Sequence, residues 1–117
     1  MNKFEVKPTG STGTEAGTAA RDMETEARVA FLFAVEAVGA TPTATYVWEG
    51  SLDGTNWKPI AYVTDASDTV AVTARTVTTV GVEILYLANP QARFYRYYRL
   101  RVTANTNVTY RAEAYTD

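Results

Sequence analysis

The 117 residues contain neither cysteine nor histidine. Without cysteine there is no structural disulfide, thiolate metal site, iron–sulfur cluster or cysteine nucleophile. Without histidine the commonest general base is gone, and with it the usual nucleophilic triads and most zinc or copper sites. No apolar run approaches the ~20 residues of a membrane-spanning helix. No charged-then-apolar pattern opens the sequence, so Sec export is not expected. Neither sign of charge dominates: 11 basic residues against 13 acidic ones give a formal net charge of −2. That balance supplies no global field for steering toward nucleic acid or an anionic membrane. What is left is a one-domain chain, able to bury roughly two-thirds of its unfolded surface without metal or disulfide.

What is present is alternation. From Phe94 to Thr103, aromatic and β-branched residues alternate with arginine in a period of two, which predicts a strand with two unlike faces. Phe94, Tyr98, Leu100 and Val102 form a core face interrupted by Arg96. Arg93, Tyr95, Tyr97, Arg99 and Arg101 form the other, rich in the side chains found at contact hot spots. A strand this long and apolar is expected to be central, with partners on both edges.

Upstream, residues 8–20 hold nothing apolar larger than alanine and carry Gly10, Gly13 and Gly17. Such a segment buries too little to offset its ordering entropy. Residues 1–25 therefore read as a flexible or extended N-terminal arm, and 26–117 as a single β-sandwich domain. Within the arm, Phe4 and Val6 alternate in a short strand-like run. That pair is a candidate for edge pairing, with the chain's own sheet or with a neighbouring subunit. The arm's low apolar content predicts that residues 1–20 are dispensable for folding.

From Thr25 the period of two continues. Phe31 and Phe33, two positions apart, favour a strand over the helix that the local alanine and glutamate would permit. Residues 39–42 (Gly-Ala-Thr-Pro) read as a turn, and alternation resumes to Glu49. Asp53-Gly54, between two strand-like runs, predicts a tight type I′ hairpin. Trp57 is expected to anchor the core at its base, and Pro59 puts the following strand at an edge or bulge. A Ca²⁺ site on Asp53, Asn56, Asp65 and Asp68 lacks the EF-hand spacing, and turn chemistry accounts for these residues. Further strands are expected over 69–76, 82–87 and 108–115, the last entered through a turn at 104–107. Turn signals every 8 to 12 residues describe an all-β, two-sheet antiparallel sandwich, Ig/fibronectin-like or jelly-roll-like. Its expected structural core includes Phe31, Phe33, Trp57, Tyr98, Leu100 and Val102.

Two segments carry a family resemblance. Gly50-Ser-Leu-Asp-Gly-Thr-Asn-Trp57, followed by Tyr97-Tyr-Arg-Leu-Arg-Val-Thr-Ala104, resembles the SxDGxxW … YYRxRVTA arrangement of small β-sandwich virion proteins of tailed phages. These include capsid decoration (cement) proteins and head or tail fibre modules. The first segment is also similar to discoidin-type and other carbohydrate-binding sandwiches, and the second to the sixth strand of fibronectin type III domains. The resemblance implies a non-enzymatic structural protein of the virion, made in the host cytoplasm, that binds the outside of a phage capsid and stabilises the shell. Its implied partner is a major capsid protein or another virion protein, with copies forming a homo-oligomer on the particle. No catalytic residue, cofactor or metal is implied.

The candidate interface comprises Phe4, Val6, Arg93, Tyr95, Tyr97, Arg99 and Arg101. Nucleic acid is not expected there, although basic residues interleaved with aromatics can hold single strands: the net charge is acidic, and cross-strand pairing with Glu83 or Glu113 accounts for the arginines. No membrane partner is expected. The alternative reading, a carbohydrate-binding or adhesin-like module, requires exposed coplanar aromatics such as Trp48 or Tyr95 lining a groove.

Overall fold

A computed structural model describes residues 2–14, 21–22, 29–64, 67–72, 74–87 and 95–116. Nine strands run through them: β1 (Asn2–Ser11), β2 (Arg21–Asp22), β3 (Val29–Ser51), β4 (Lys58–Pro59), β5 (Tyr62–Thr64), β6 (Ser67–Val72), β7 (Arg75–Val77), β8 (Gly81–Leu87) and β9 (Tyr97–Thr116). The chain is all-β over these residues. The strands form one sheet in the order β1-β9-β3-β8-β5-β6, with β2 beside β9 and with β4 and β7 beside β3. Every pairing is antiparallel.

The two central strands explain how a single sheet encloses a core. At ~3.3 Å per residue, the 23 residues of β3 would extend to about 75 Å and the 20 of β9 to about 65 Å. The molecule's longest dimension is 41 Å, so both strands must bend. They bend together: register shifts fall between Val35 and Ala37 and between Val38 and Thr43, opposite residues 106–110 of β9. Thr41 (φ 44°) and Asn107 (φ 56°) adopt the left-handed region there, and the Asn107 Nδ2 donates to the Ala40 carbonyl at 2.6 Å. The odd parity of the first arm of β3 (Val29, Phe31, Phe33, Val35 buried) becomes even in the second (Ala44, Tyr46, Trp48 buried). Across the fold Phe33 stacks on Tyr46 with centroids 4.1 Å apart, and within its own half of the sheet it stacks on Tyr110 of the neighbouring strand at 4.9 Å. Such aromatic pairs each add about 0.5–1.5 kcal/mol beyond area burial.

Several expectations change here. Two separate sheets give way to one continuous sheet whose halves face each other. The turns expected at 39–42 and 104–107 are bends within β3 and β9, because each is hydrogen-bonded to the other instead of reversing its own chain. Asn2–Ser11 is a strand on the free edge of β9, with Val6 buried and Phe4 packed against the core. Part of the expected arm thus belongs to the sheet; residues 15–20 and 23–28 lie outside the described residues. Trp57 is only half-buried, and the core position is filled by Trp48, which the fold of β3 turns inward. Phe31, Phe33, Tyr98, Leu100 and Val102 are all buried.

Candidate protein-interaction faces

The first candidate face lies outside the second half of the sheet, where β9 runs beside the end of β3. Arg99 sits opposite Glu49, Arg101 opposite Val47 and Tyr97 opposite Ser51, so strand parity brings Tyr97, Arg99 and Arg101 onto one side. The Glu49 carboxylate, 4% exposed, accepts from Arg99 Nε at 2.8 Å and pairs with Arg101 Nε at 3.3 Å. The Arg99 guanidinium also lies over the Trp57 ring, 4.4 Å from its centroid. One acid thus meets two guanidiniums, and Arg101 is the more exposed of the pair.

Tyr97 lies against the loop that joins β3 to β4; a Cβ on Gly54 would stand 3.7 Å from its ring. That loop is not the expected type I′ turn, since Gly54 (φ 78°) has positive φ and Asp53 does not. Side-chain bonds shape it instead. The Ser51 Oγ accepts from the Gly54 N–H at 2.9 Å, and Asp53 Oδ1 accepts from the Thr55 and Asn56 N–H groups, both at 2.8 Å. Asp53 Oδ2 accepts from the Asn56 side-chain amide at 2.7 Å. The Asn56 and Thr55 backbone donors hold the Asp53 carboxyl well below its ordinary pKa. These bonds use both carboxylate oxygens within the loop, in agreement with turn chemistry. Asp65 lies outside the described residues.

Tyr95 leaves the row. It precedes β9 and folds onto the core face, its ring so close over Gly50 that a Cβ there would stand 2.2 Å from it. It meets Tyr98 edge to face, with centroids 6.5 Å apart and planes at 80°. The Arg96 N–H then donates to the Ser51 carbonyl at 3.0 Å and starts the ladder. Arg93 lies outside the described residues. Phe4 and Val6 face the chain's own core, so the seven candidates do not form one surface. Of the arginine row, Tyr97, Arg99 and Arg101 remain together. Glu49, which organises them, was missed in the sequence because its position opposite Arg99 depends on the β3/β9 register.

The other outer face, over the first half of the sheet, differs in character. On its β1/β9 side, Lys3 Nζ lies 2.6 Å from Glu113 Oε2, and the Tyr115 hydroxyl donates to Glu113 Oε1 at 3.1 Å. Burial opposes ionisation of Glu113, but these two bonds prevail and its pKa lies below the ordinary value. On its β8 side there is an apolar stripe: Val82, Ile84 and Tyr86 are 60%, 37% and 40% exposed. The sequence carried a sign of this, since residues 82–87 are apolar on both faces of the predicted strand apart from Glu83.

Glu83, between these residues, turns inward. It accepts two bonds from Arg75, at 3.0 and 2.7 Å, and a short one from the Tyr46 hydroxyl. Burial again opposes its ionisation, but the Arg75 and Tyr46 bonds hold its pKa below the ordinary value.

No family model and no curated protein matches the sequence. Solved structures do match. The crystal structure of the SPBc2 prophage-derived protein YomS superposes with a TM-score of 0.75, covering 99% of this chain and 92% of that one at 7% identity. Two others match at lower TM-scores. PirA, at 0.47 and 12% identity, covers 99% of this chain and 92% of that one. The K1 cleaved adhesin domain of Lys-gingipain from Porphyromonas gingivalis W83, at 0.45 and 15% identity, covers 98% of this chain and 73% of that one. The likeness to YomS is one of fold, extending over nearly the whole of both chains.

Proposed function

We propose that this chain is a non-enzymatic structural protein of a phage particle, bound outside the capsid as a decoration (cement) protein. It would strengthen the shell through protein–protein contacts, with a major capsid protein or another virion protein as partner and with copies associating on the particle. The observation that carries this reading is the near full-length fold likeness to a protein encoded by a prophage. The side chains favour contact over chemistry: Glu49, Glu83 and Glu113 each engage a cationic partner within the molecule. The proposed shell-facing surface is Tyr97 with Arg101, whose guanidinium remains accessible for a partner carboxylate.

Quantitative mass spectrometry of purified particles from the source tests the assignment. The expected result is a fixed copy-number ratio to the major shell protein, with particles lacking the chain opening at lower temperature. Absence from purified particles overturns it. Retention on immobilised glycans, lost on replacing Trp57, would install the carbohydrate-binding reading in its place.

A further inference from the structure

Strand parity puts Arg111 on the outer side of the first half of the sheet, in a row that crosses from β9 to β8. Arg111 pairs with Ala34 on β3, and Ala34 pairs in turn with Val82 on β8. The row therefore joins a guanidinium to one end of the apolar stripe. Ala34 points outward by parity yet is 3% exposed, so its methyl lies beneath larger side chains. Arg111 Nη1 is buried and has no hydrogen-bond partner among the described residues. A donor withdrawn from water in this way has lost one acceptor without gaining another, and few native structures leave one so. The acids of β9 and β3 on this half do not supply it. Both oxygens of Glu113 are engaged, by Lys3 and by Tyr115, and Glu36 Oε1 accepts from the Gly10 N–H at 3.0 Å. Glu5 sits on β1, beyond Glu113 and away from the stripe.

We propose that this face binds an extended segment of a partner protein, with a carboxylate at Arg111 and apolar side chains over Ile84 and Tyr86. A carboxylate is the acceptor that a forked guanidinium fits best. The other outward positions of β3 and β8 here, Ala30, Leu32, Ile84 and Tyr86, carry no charge. That favours a protein segment over a polyanion, whose phosphates would lose hydration above these side chains without compensation. The size of the patch decides between a segment and a folded partner. Two strands at ~4.8 Å spacing and five residues at ~3.3 Å each give an area on the order of 150 Å². This is far below the ~800 Å² per partner of a standard interface. One extended stretch of about five residues covers it. Its side chains on one side repeat every ~6.6–7 Å, as the outward rows at 82, 84 and 86 do. The segment therefore carries an acidic residue with apolar residues two and four positions away. This goes beyond the proposed function by giving the pattern of the sequence bound; on a particle that segment would belong to a neighbouring virion protein. Its test uses the free chain, so it can fail while the virion assignment stands.

A library of random dodecapeptides selected against the immobilised full chain tests this with no sequence chosen beforehand. Enriched peptides should share an Asp or Glu with Leu, Ile, Val or an aromatic residue two and four positions away. A synthetic peptide of that consensus should bind with a dissociation constant on the order of 100 micromolar by calorimetric titration. Arg111→Gln should weaken it about tenfold, and so should exchanging the peptide's acid for its amide. The two changes together should cost no more than either alone, since they remove the same contact. Ile84→Thr should weaken binding at least about threefold. Circular dichroism checks that each variant is folded; should Arg111→Gln not fold, the peptide's acid-to-amide exchange and Ile84→Thr decide. Enrichment of no peptide, or of peptides without an acidic residue, overturns the proposal. So does binding indifferent to Arg111→Gln or to Ile84→Thr. Self-association of the free chain that Ile84→Thr abolishes would give the face to a second copy, and overturns it as well.

Discussion

Phe31 stacks on Trp48 with ring centroids 4.4 Å apart and planes inclined by 22°, although both belong to the same strand, β3. The contact exists because β3 and β9 bend together and bring the two halves of one sheet into register. It is a direct readout of the fold, which makes it a sensitive place to perturb.

Trp48→Ala should cost about 3–5 kcal/mol, the range for removing a large buried aromatic. Trp57→Ala, which removes a half-buried ring beneath Arg99, should cost about 1 kcal/mol, the scale of an exposed cation–π contact with modest burial. Urea denaturation of the two variants compares them directly. Equal losses would show that Trp57 is as much a core residue as Trp48.

Arg99→Ala and Arg101→Ala should separate structure from surface. Arg99 supplies the closer bond to the buried Glu49, so truncating it should cost about 1–3 kcal/mol by leaving that carboxylate under-satisfied. Arg101 is more exposed and its contact longer, so its truncation should stay within about 0.5 kcal/mol. Melting temperatures of the two variants check the order, and Glu49→Gln should reduce the effect of Arg99→Ala.

Gly50→Ala should be strongly destabilising, because the new methyl would overlap the Tyr95 ring, and overpacking typically costs about 1–3 kcal/mol. Tyr95→Ala in the same chain removes the clash. The double variant should therefore be more stable than the sum of the two single losses predicts, a coupling that a double-mutant cycle measures.

Stability should fall at both ends of the pH scale. Glu83 and Glu113 have folded pKa values below their ordinary 4.5. Their contribution is complete above that value and is lost as pH falls through the folded pKa values. At the alkaline end, burial and then the neighbouring Tyr95 push Tyr98 up to about 12 from its ordinary 10.0. Burial also raises Tyr46, together with its bond to Glu83, and Tyr62. Their contribution is complete below 10 and is lost as pH rises toward 12 and beyond. Thermal melts across pH should show a plateau between these limits. Glu83→Gln should lower the plateau and make the acid limb shallower, and a limb of unchanged steepness would remove Glu83 from this account.

Much of the secondary structure was legible because strand parity is a local property. Alternation placed Phe31 and Phe33 on one side, and Tyr98, Leu100 and Val102 on another, before any partner strand was known. The same rule put Tyr97, Arg99 and Arg101 together. It failed for Tyr95, since parity holds only within a strand and β9 begins at Tyr97. It also could not name Glu49 as the partner of the arginines, because that pairing joins positions fifty residues apart.

The sequence by itself determined that the chain is of the all-β class over its described residues, and that its central strand is apolar on one side and basic on the other. These follow from a period of two and from side-chain chemistry. Tertiary structure decided what the turn signals meant. Residues 39–42 and Asn107 carry the glycine, proline and asparagine expected of hairpin turns, yet each bends within a ladder formed with the other. A local signal specifies a change of direction; whether the chain then pairs with itself or continues beside a neighbour depends on the register of β3 with β9. That register, set by the burial of Phe31, Phe33, Trp48 and Tyr110, made one folded sheet where two were expected. It also selected Trp48 over Trp57 for the core, because the parity of β3 changes at the bend, and no local pattern records which residue follows the change.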